Sequence, residues 1–134
     1  MQLAQTVESF GQDDQSWLGS EHGTSNARSI TLDVSKFTAN THYPNGYLVS
    51  GIALGKVTAS GKYGPYDDTA SDGRQTLDGF LLTAQKAPTV NTVPVLAPML
   101  DHGKVKSARL PIQSGAGAVD ANGKADVAGR IIVL

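Results

Sequence analysis

Cysteine is absent from the 134 residues, which excludes disulfide scaffolds and thiolate metal sites. Charge is scarce too: Asp, Glu, Lys and Arg make up 17%, against about a quarter in an average chain. No apolar run approaches the ~20 residues that span a bilayer, so no membrane partner is expected. The first residues, Met1 to Gln5, lack the basic and apolar regions of a secretion signal, so none is expected. With a net charge of −1 there is no excess of cations for nucleic-acid binding, and none is expected. What the chain does have is 22 Ser and Thr, 15 Gly and 40% hydrophobic residues, enough for one domain with a modest core.

The charge is unevenly spread. Residues 1–27 hold Glu8, Asp13, Asp14 and Glu21 and no Lys or Arg. The remainder holds 11 basic and 8 acidic groups. Apolar residues are sparse at the start: Leu3, Val7, Phe10, Trp17 and Leu18 stand among Gly, Gln, Ser and Asp. Such a segment buries too little surface to offset the ordering cost of roughly 1–2 kcal/mol per residue. Residues 1–28 are therefore expected to be an arm, and 29–134 a folded domain. Trp17-Leu18 is the outlier within the arm. The pair either folds back on its own domain or anchors another protein, since Trp is enriched among binding hot spots.

From Ser29 the pattern turns to strand. Ile30, Leu32 and Val34 alternate with Thr31 and Asp33. Tyr43-Pro44-Asn45-Gly46 reads as a turn. Tyr47 to Thr58 reads as strand, with Gly51 and Gly55 marking bulges or close backbone approach. Leu77 to Thr83 is a further strand. Pro88, Pro94 and Pro98 restrict the next strand to an edge or a bulge. Asp101-His102-Gly103 resembles a hairpin connection, and Gly115-Ala116-Gly117 a flexible link. Residues 120–126 form a helical turn or a tight turn. Ile131 to Leu134 is expected as a short strand buried on both faces. Short strands and frequent turns predict a mainly β fold: a small, compact β-rich domain with long loops.

Signals for chemistry are weak. His22, His42 and His102 lie far apart and read as exposed turn residues. Gly19-Ser20-Glu21-His22-Gly23 lacks the context of a serine nucleophile elbow. Gly115 and Gly117 lack the third Gly of a dinucleotide fingerprint, because position 120 is Asp. Asp67, Asp68 and Asp72 suggest a calcium loop, but Ala70 and Gly79 occupy ligand positions of an EF-hand counted from Asp68. No catalytic, cofactor or metal site is expected.

Five stretches nevertheless form a pattern. They are Thr41-His42-Tyr43-Pro44-Asn45-Gly46-Tyr47, Leu54-Gly55-Lys56-Val57-Thr58, Tyr63-Gly64-Pro65-Tyr66-Asp67-Asp68, His102-Gly103-Lys104-Val105-Lys106 and Ala128-Gly129-Arg130-Ile131-Ile132. In this order they resemble the lambda protein-D-like head decoration proteins of tailed bacteriophages, over about residues 29–134. Ala128, Gly129 and Ile132 fit that family's closing Ala-Gly-x-x-Ile pattern, while Gly61–Gly73 is longer than the family pattern. The resemblance implies a non-enzymatic cement protein with a β-tulip-like domain, on the exterior of the virion capsid. It also implies a homotrimer at local threefold axes and an N-terminal arm that grips the major capsid protein. The apolar and acidic residues of the arm, Val7, Phe10, Asp13, Asp14, Trp17 and Leu18, are then the expected capsid-binding set. The alternative is a β-sandwich module for carbohydrate or receptor binding, with Tyr63 and Tyr66 in one loop as stacking platforms.

Overall fold

The computed structural model describes residues 14–21 and 23–134. Five strands close into a barrel in the order β1 (Arg28–Leu32), β4 (Tyr63–Pro65), β3 (Ala53–Lys56), β5 (Gly79–Leu81) and β7 (Val95–Leu100). Closure removes the open edges that invite unwanted strand pairing. All the barrel contacts are antiparallel except that of β1 with β4, where Leu32 stands opposite Tyr63. Two ribbons flank the barrel. One joins β2 (Tyr47–Leu48) to β6 (Gln85–Lys86) in antiparallel register. The other joins β8 (Gly103–Val105) to β9 (Ile131–Val133) in parallel, with Lys104 opposite Ile132. Among the described residues, helix is confined to three short 3-10 turns, a one-turn α1 (Ala39–His42) and α2 (Ala121–Asp126). The expected mainly β class is what the chain adopts.

Side-chain alternation makes the barrel wall two-faced. Ile30, Leu32, Leu54, Tyr63, Leu81, Ala97 and Met99, drawn from all five strands, fill one apolar cluster inside. Their neighbours Ala53, Phe80 and Leu100 point the other way, into a second cluster with Trp17, Tyr66, Leu77, Val105, Val127 and Ile131. That second cluster glues the β8–β9 ribbon and α2 to the barrel. Asp120 starts α2: its carboxylate accepts the Gly123 N–H at 2.8 Å and the Tyr66 hydroxyl at 2.7 Å.

Several expectations need correction. Asp101-His102-Gly103 joins no hairpin: β7 is already paired on both edges, by β1 and β5, and β8 pairs with β9 instead. Gly115-Ala116-Gly117 is held rather than free, since Gly117 donates to the Tyr66 carbonyl and accepts from the Ala53 N–H. The last strand is not buried on both faces. Ile131 is buried, but Ile132 and Leu134 are 53% and 60% exposed, because the ribbon covers only one side of β9. Val34 leaves strand geometry for a 3-10 turn, capped by Asp33 accepting from the Ser35 N–H. Pro98 sits within β7, which has strands on both sides, in regular register with Ser29 of β1.

Candidate functional site

The expected docking residues divide by position. Val7, Phe10 and Asp13 lie outside the described residues, as does His22. Asp14 is exposed, and its carboxylate accepts the Ser16 N–H at 2.9 Å. That hydrogen bonding, aided by the charge of Arg109, holds the Asp14 carboxyl below the usual carboxylate range.

Trp17 belongs to the core. Its side chain is 1% exposed, and its ring lies 6.0 Å from that of Phe80. Its indole N–H donates to Ser50 Oγ at 3.0 Å. The main chain around it extends the β8–β9 ribbon. Lys106 N–H donates to the Trp17 carbonyl at 2.7 Å, Gly19 N–H donates to Lys104 at 2.9 Å, and Leu18 bridges Val105. Gly51 makes room for the indole: its φ is +100°, and a Cβ there would lie 2.9 Å from Trp17 Nε1. Trp17 as a partner-facing anchor is therefore corrected: of the two readings open for Trp17-Leu18, the fold-back occurs. These bonds tie residues 17–19, which lie within the 1–28 expected for the arm, to the β8–β9 ribbon and the barrel. Sequence offered no way to foresee the Ser50 and Gly51 pocket, which lies over thirty residues away along the chain.

Among the described residues, two apolar groups are exposed. Val90, Val93 and Leu96 are exposed at the approach to β7 and on it, and Leu96 is 75% exposed. Ile132 and Leu134 are exposed on the β8–β9 ribbon beside Lys104. The Leu134 carbonyl accepts from Ser107 Oγ at 2.8 Å, and its side chain rests against Gly19. The ribbon thus combines exposed aliphatic groups with Lys104 and Lys106 at the place where the segment 17–19 joins it. In the sequence only the apolar run at 131–134 stands out; nothing local marks Lys104 and Lys106 as its neighbours.

Tyr63, Tyr66, Asp67 and Asp72 form bonds within the fold. The Tyr63 hydroxyl donates to Asp78 Oδ2 at 2.7 Å and accepts from Arg28 Nη2 at 2.6 Å. Burial, reinforced by Asp78, pushes the Tyr63 phenol up to about 12. Tyr66 is likewise raised, by burial and by Asp120. Both rings are nearly inaccessible, at 2% and 1% exposure, so they offer no stacking platform for a sugar. With a closed barrel in place of a sandwich, the carbohydrate-module alternative loses its basis. Asp67 accepts from the hydroxyl and N–H of Thr69, and Asp72 pairs with Arg74 at 3.0 Å. Among the described residues no group of three or more His, Asp or Glu could hold a metal.

His42 departs from the exposed turn position expected of it. It is 2% exposed, its Nδ1 accepts the Thr38 N–H at 2.8 Å, and its Nε2 therefore donates to the Ala116 carbonyl at 2.9 Å. Phe37 meets its ring edge-on. Burial pulls its pKa below the usual value, against the opposing pull of the Ala116 carbonyl.

A family model described as bacteriophage lambda head decoration protein D matches residues 16–132. No curated protein and no solved structure matches the chain.

Proposed function

The chain belongs to the bacteriophage lambda head decoration protein D family, and from that premise we propose that it cements the head from outside as a homotrimer at local threefold axes. Decoration of a phage head, and a place in the virion, come with the family. The finer reading is that residues 1–13 are the arm that grips the major capsid protein. Val7 and Phe10 supply its apolar contacts, and Asp13 with Asp14 supplies its charge. Leu18 and Trp17 hold the root of the arm to the body. The observation that carries the decoration role is the family match over residues 16–132, and the proposed arm lies before it.

The physics is consistent with a mechanical role. A short arm with few apolar residues gains little by folding alone, but it can order on a partner, for instance by adding a strand to an open sheet edge. Three arms on one trimer raise the effective concentration of each contact, so avidity exceeds any single grip. A structural rather than catalytic role fits the bonding of Tyr63, Tyr66 and Asp72, whose polar groups hold the fold together.

The test uses capsids stripped of decoration. The full chain is expected to bind them and raise the temperature at which they rupture. A chain lacking residues 1–13 is expected to remain folded and lose most of its binding. Equal rupture temperatures with and without the full chain would remove the cementing role. Undiminished binding by the shortened chain would move the contacts to the body, where Ile132 and Leu134 are exposed.

A further inference from the structure

Two Asn-Gly pairs occur in the sequence, Asn45-Gly46 and Asn122-Gly123, and the fold treats them differently. Asn45 and Gly46 are exposed in the turn before β2. The Asn45 carboxamide makes no side-chain hydrogen bond among the described residues. Gly46 has φ +83°, and no atom lies within 4 Å of where its Cβ would be, so the turn is open to solvent on that side. One bond engages that nitrogen, from its N–H to the Tyr43 carbonyl at 3.1 Å across the open turn. Asn122 is fixed on both sides. Its Nδ2 donates to Asp68 Oδ2 at 2.8 Å, and the Gly123 N–H donates to Asp120 Oδ1 at 2.8 Å as the cap of α2. Gly123 is itself buried against Leu77 and Tyr66.

We propose that Asn45 is a site of spontaneous deamidation in the folded protein, and that Asn122 is protected from the same reaction by the capped start of α2. The Gly46 amide nitrogen attacks the Asn45 side-chain carbonyl carbon. A nitrogen–carbon bond closes a cyclic imide, the side-chain carbon–nitrogen bond breaks, and ammonia leaves with the proton given up by the backbone amide. Water then opens the ring at one carbonyl or the other. The product is aspartate or isoaspartate, and no oxidant or cofactor is consumed. Glycine favours the closure because no side chain obstructs the attacking nitrogen.

The change reaches beyond the turn. The new carboxylate is next in the chain to Gly46, which lines a cleft with Tyr43, Pro88, Val90 and Asn91, and takes the formal charge from −1 to −2. Isoaspartate also lengthens the main chain by a methylene next to Gly46. The Gly46 carbonyl accepts the Ala87 N–H at 2.9 Å, so the β2–β6 ribbon should loosen in that product.

The experiment incubates the purified full chain in mildly alkaline buffer and follows both Asn-Gly peptides by mass spectrometry after digestion. An endoprotease that cuts before aspartate but not isoaspartate separates the two products. The Asn45 peptide should convert, with a matching acidic species on ion exchange, while the Asn122 peptide lags by roughly tenfold, the factor that one extra hydrogen bond supplies. In chaotrope the two rates should converge. Asn45→Gln should abolish the acidic species from the folded protein. Equal rates in the folded chain, faster loss at Asn122, or no conversion at Asn45 when the chaotrope control converts would each overturn the proposal.

Discussion

Leu82 and Pro98 face each other across β5 and β7 with one hydrogen bond where two would ordinarily form. Leu82 N–H donates to the Pro98 carbonyl at 3.0 Å, and Pro98 has no N–H to return. The Leu82 carbonyl accepts instead from Ser50 Oγ at 2.7 Å and from Gln15 Nε2 at 2.6 Å. Ser50 in turn accepts the Trp17 indole N–H. A proline inside a barrel wall is tolerated because side chains from the N-terminal segment and from the loop before β3 fill the gap in the ladder. The same bonds fasten Gln15 and Trp17 to the barrel, so the N-terminal segment and the proline are two parts of one arrangement.

Ser50→Ala tests that arrangement. It strips one donor from Leu82 and leaves the Trp17 indole N–H buried without an acceptor. The expected loss is about 1–3 kcal/mol, read as a lower denaturant midpoint with an unchanged slope. Trp17 is the sole tryptophan, so its emission reports the transition directly. An unchanged midpoint would mean that water or a shifted side chain replaces the hydroxyl at no cost.

The two isoleucines of β9 should behave oppositely. Ile131 lies in the second core cluster at 2% exposure, whereas Ile132 is mostly exposed. Truncating Ile131 to Ala should cost about 2–5 kcal/mol. Truncating Ile132 should change stability by no more than about 0.5 kcal/mol. Equal effects in thermal or denaturant unfolding would contradict the alternation of β9.

Acid should weaken the fold through His42 before it does so through the carboxylates. The buried ring is neutral, and its pKa lies below the ordinary 6.5, chiefly through burial. As pH falls below 6.5, the unfolded chain takes up a proton that the folded chain still refuses. Stability therefore declines from there down to the depressed folded value, and above 6.5 this group contributes no slope. Asp14, Asp67 and Asp72 are depressed below 3.8, so their contribution is lost only at lower pH. Unfolding midpoints measured downward from neutral pH should show the first decline, and His42→Gln should flatten it while lowering the plateau.

What the sequence revealed was local. The alternation of Ile30 and Leu32 marks β1, Asn45-Gly46 marks its turn, and a short helical turn was one of two readings of 120–126. The mainly β class follows from many such short signals. What stayed hidden depends on contacts distant in sequence. Four consecutive apolar residues at 131–134 look fully buried until the two-stranded ribbon is seen to leave one face open. Trp17 looks like an isolated anchor until Ser50, 33 residues away, supplies its acceptor. Histidine burial at position 42 depends on Ala116, 74 residues on. Of the expected docking set, Asp14 is exposed, Leu18 is half-buried, Trp17 lies in the core, and Val7, Phe10 and Asp13 lie outside the described residues.

Paired truncations separate arm from body. Removing residues 1–13 leaves Gln15, Trp17, Gly19 and all their bonds to Leu82, Ser50 and Lys104 in place. The melting temperature of that chain should match the full chain within a few degrees. Removing residues 1–19 takes away the indole from the core beside Phe80, the acceptor of the Lys106 N–H and one of the two donors to Leu82. Emptying a buried tryptophan site alone costs about 3–5 kcal/mol, a large part of the stability of a domain this size. The longer truncation should therefore melt far lower or fail to fold. Trp17→Phe provides the intermediate case, keeping most of the ring while losing the bond to Ser50, and should fall between the two. If both truncations melted like the full chain, residues 14–19 would be arm after all, and Trp17 would be free to face a partner.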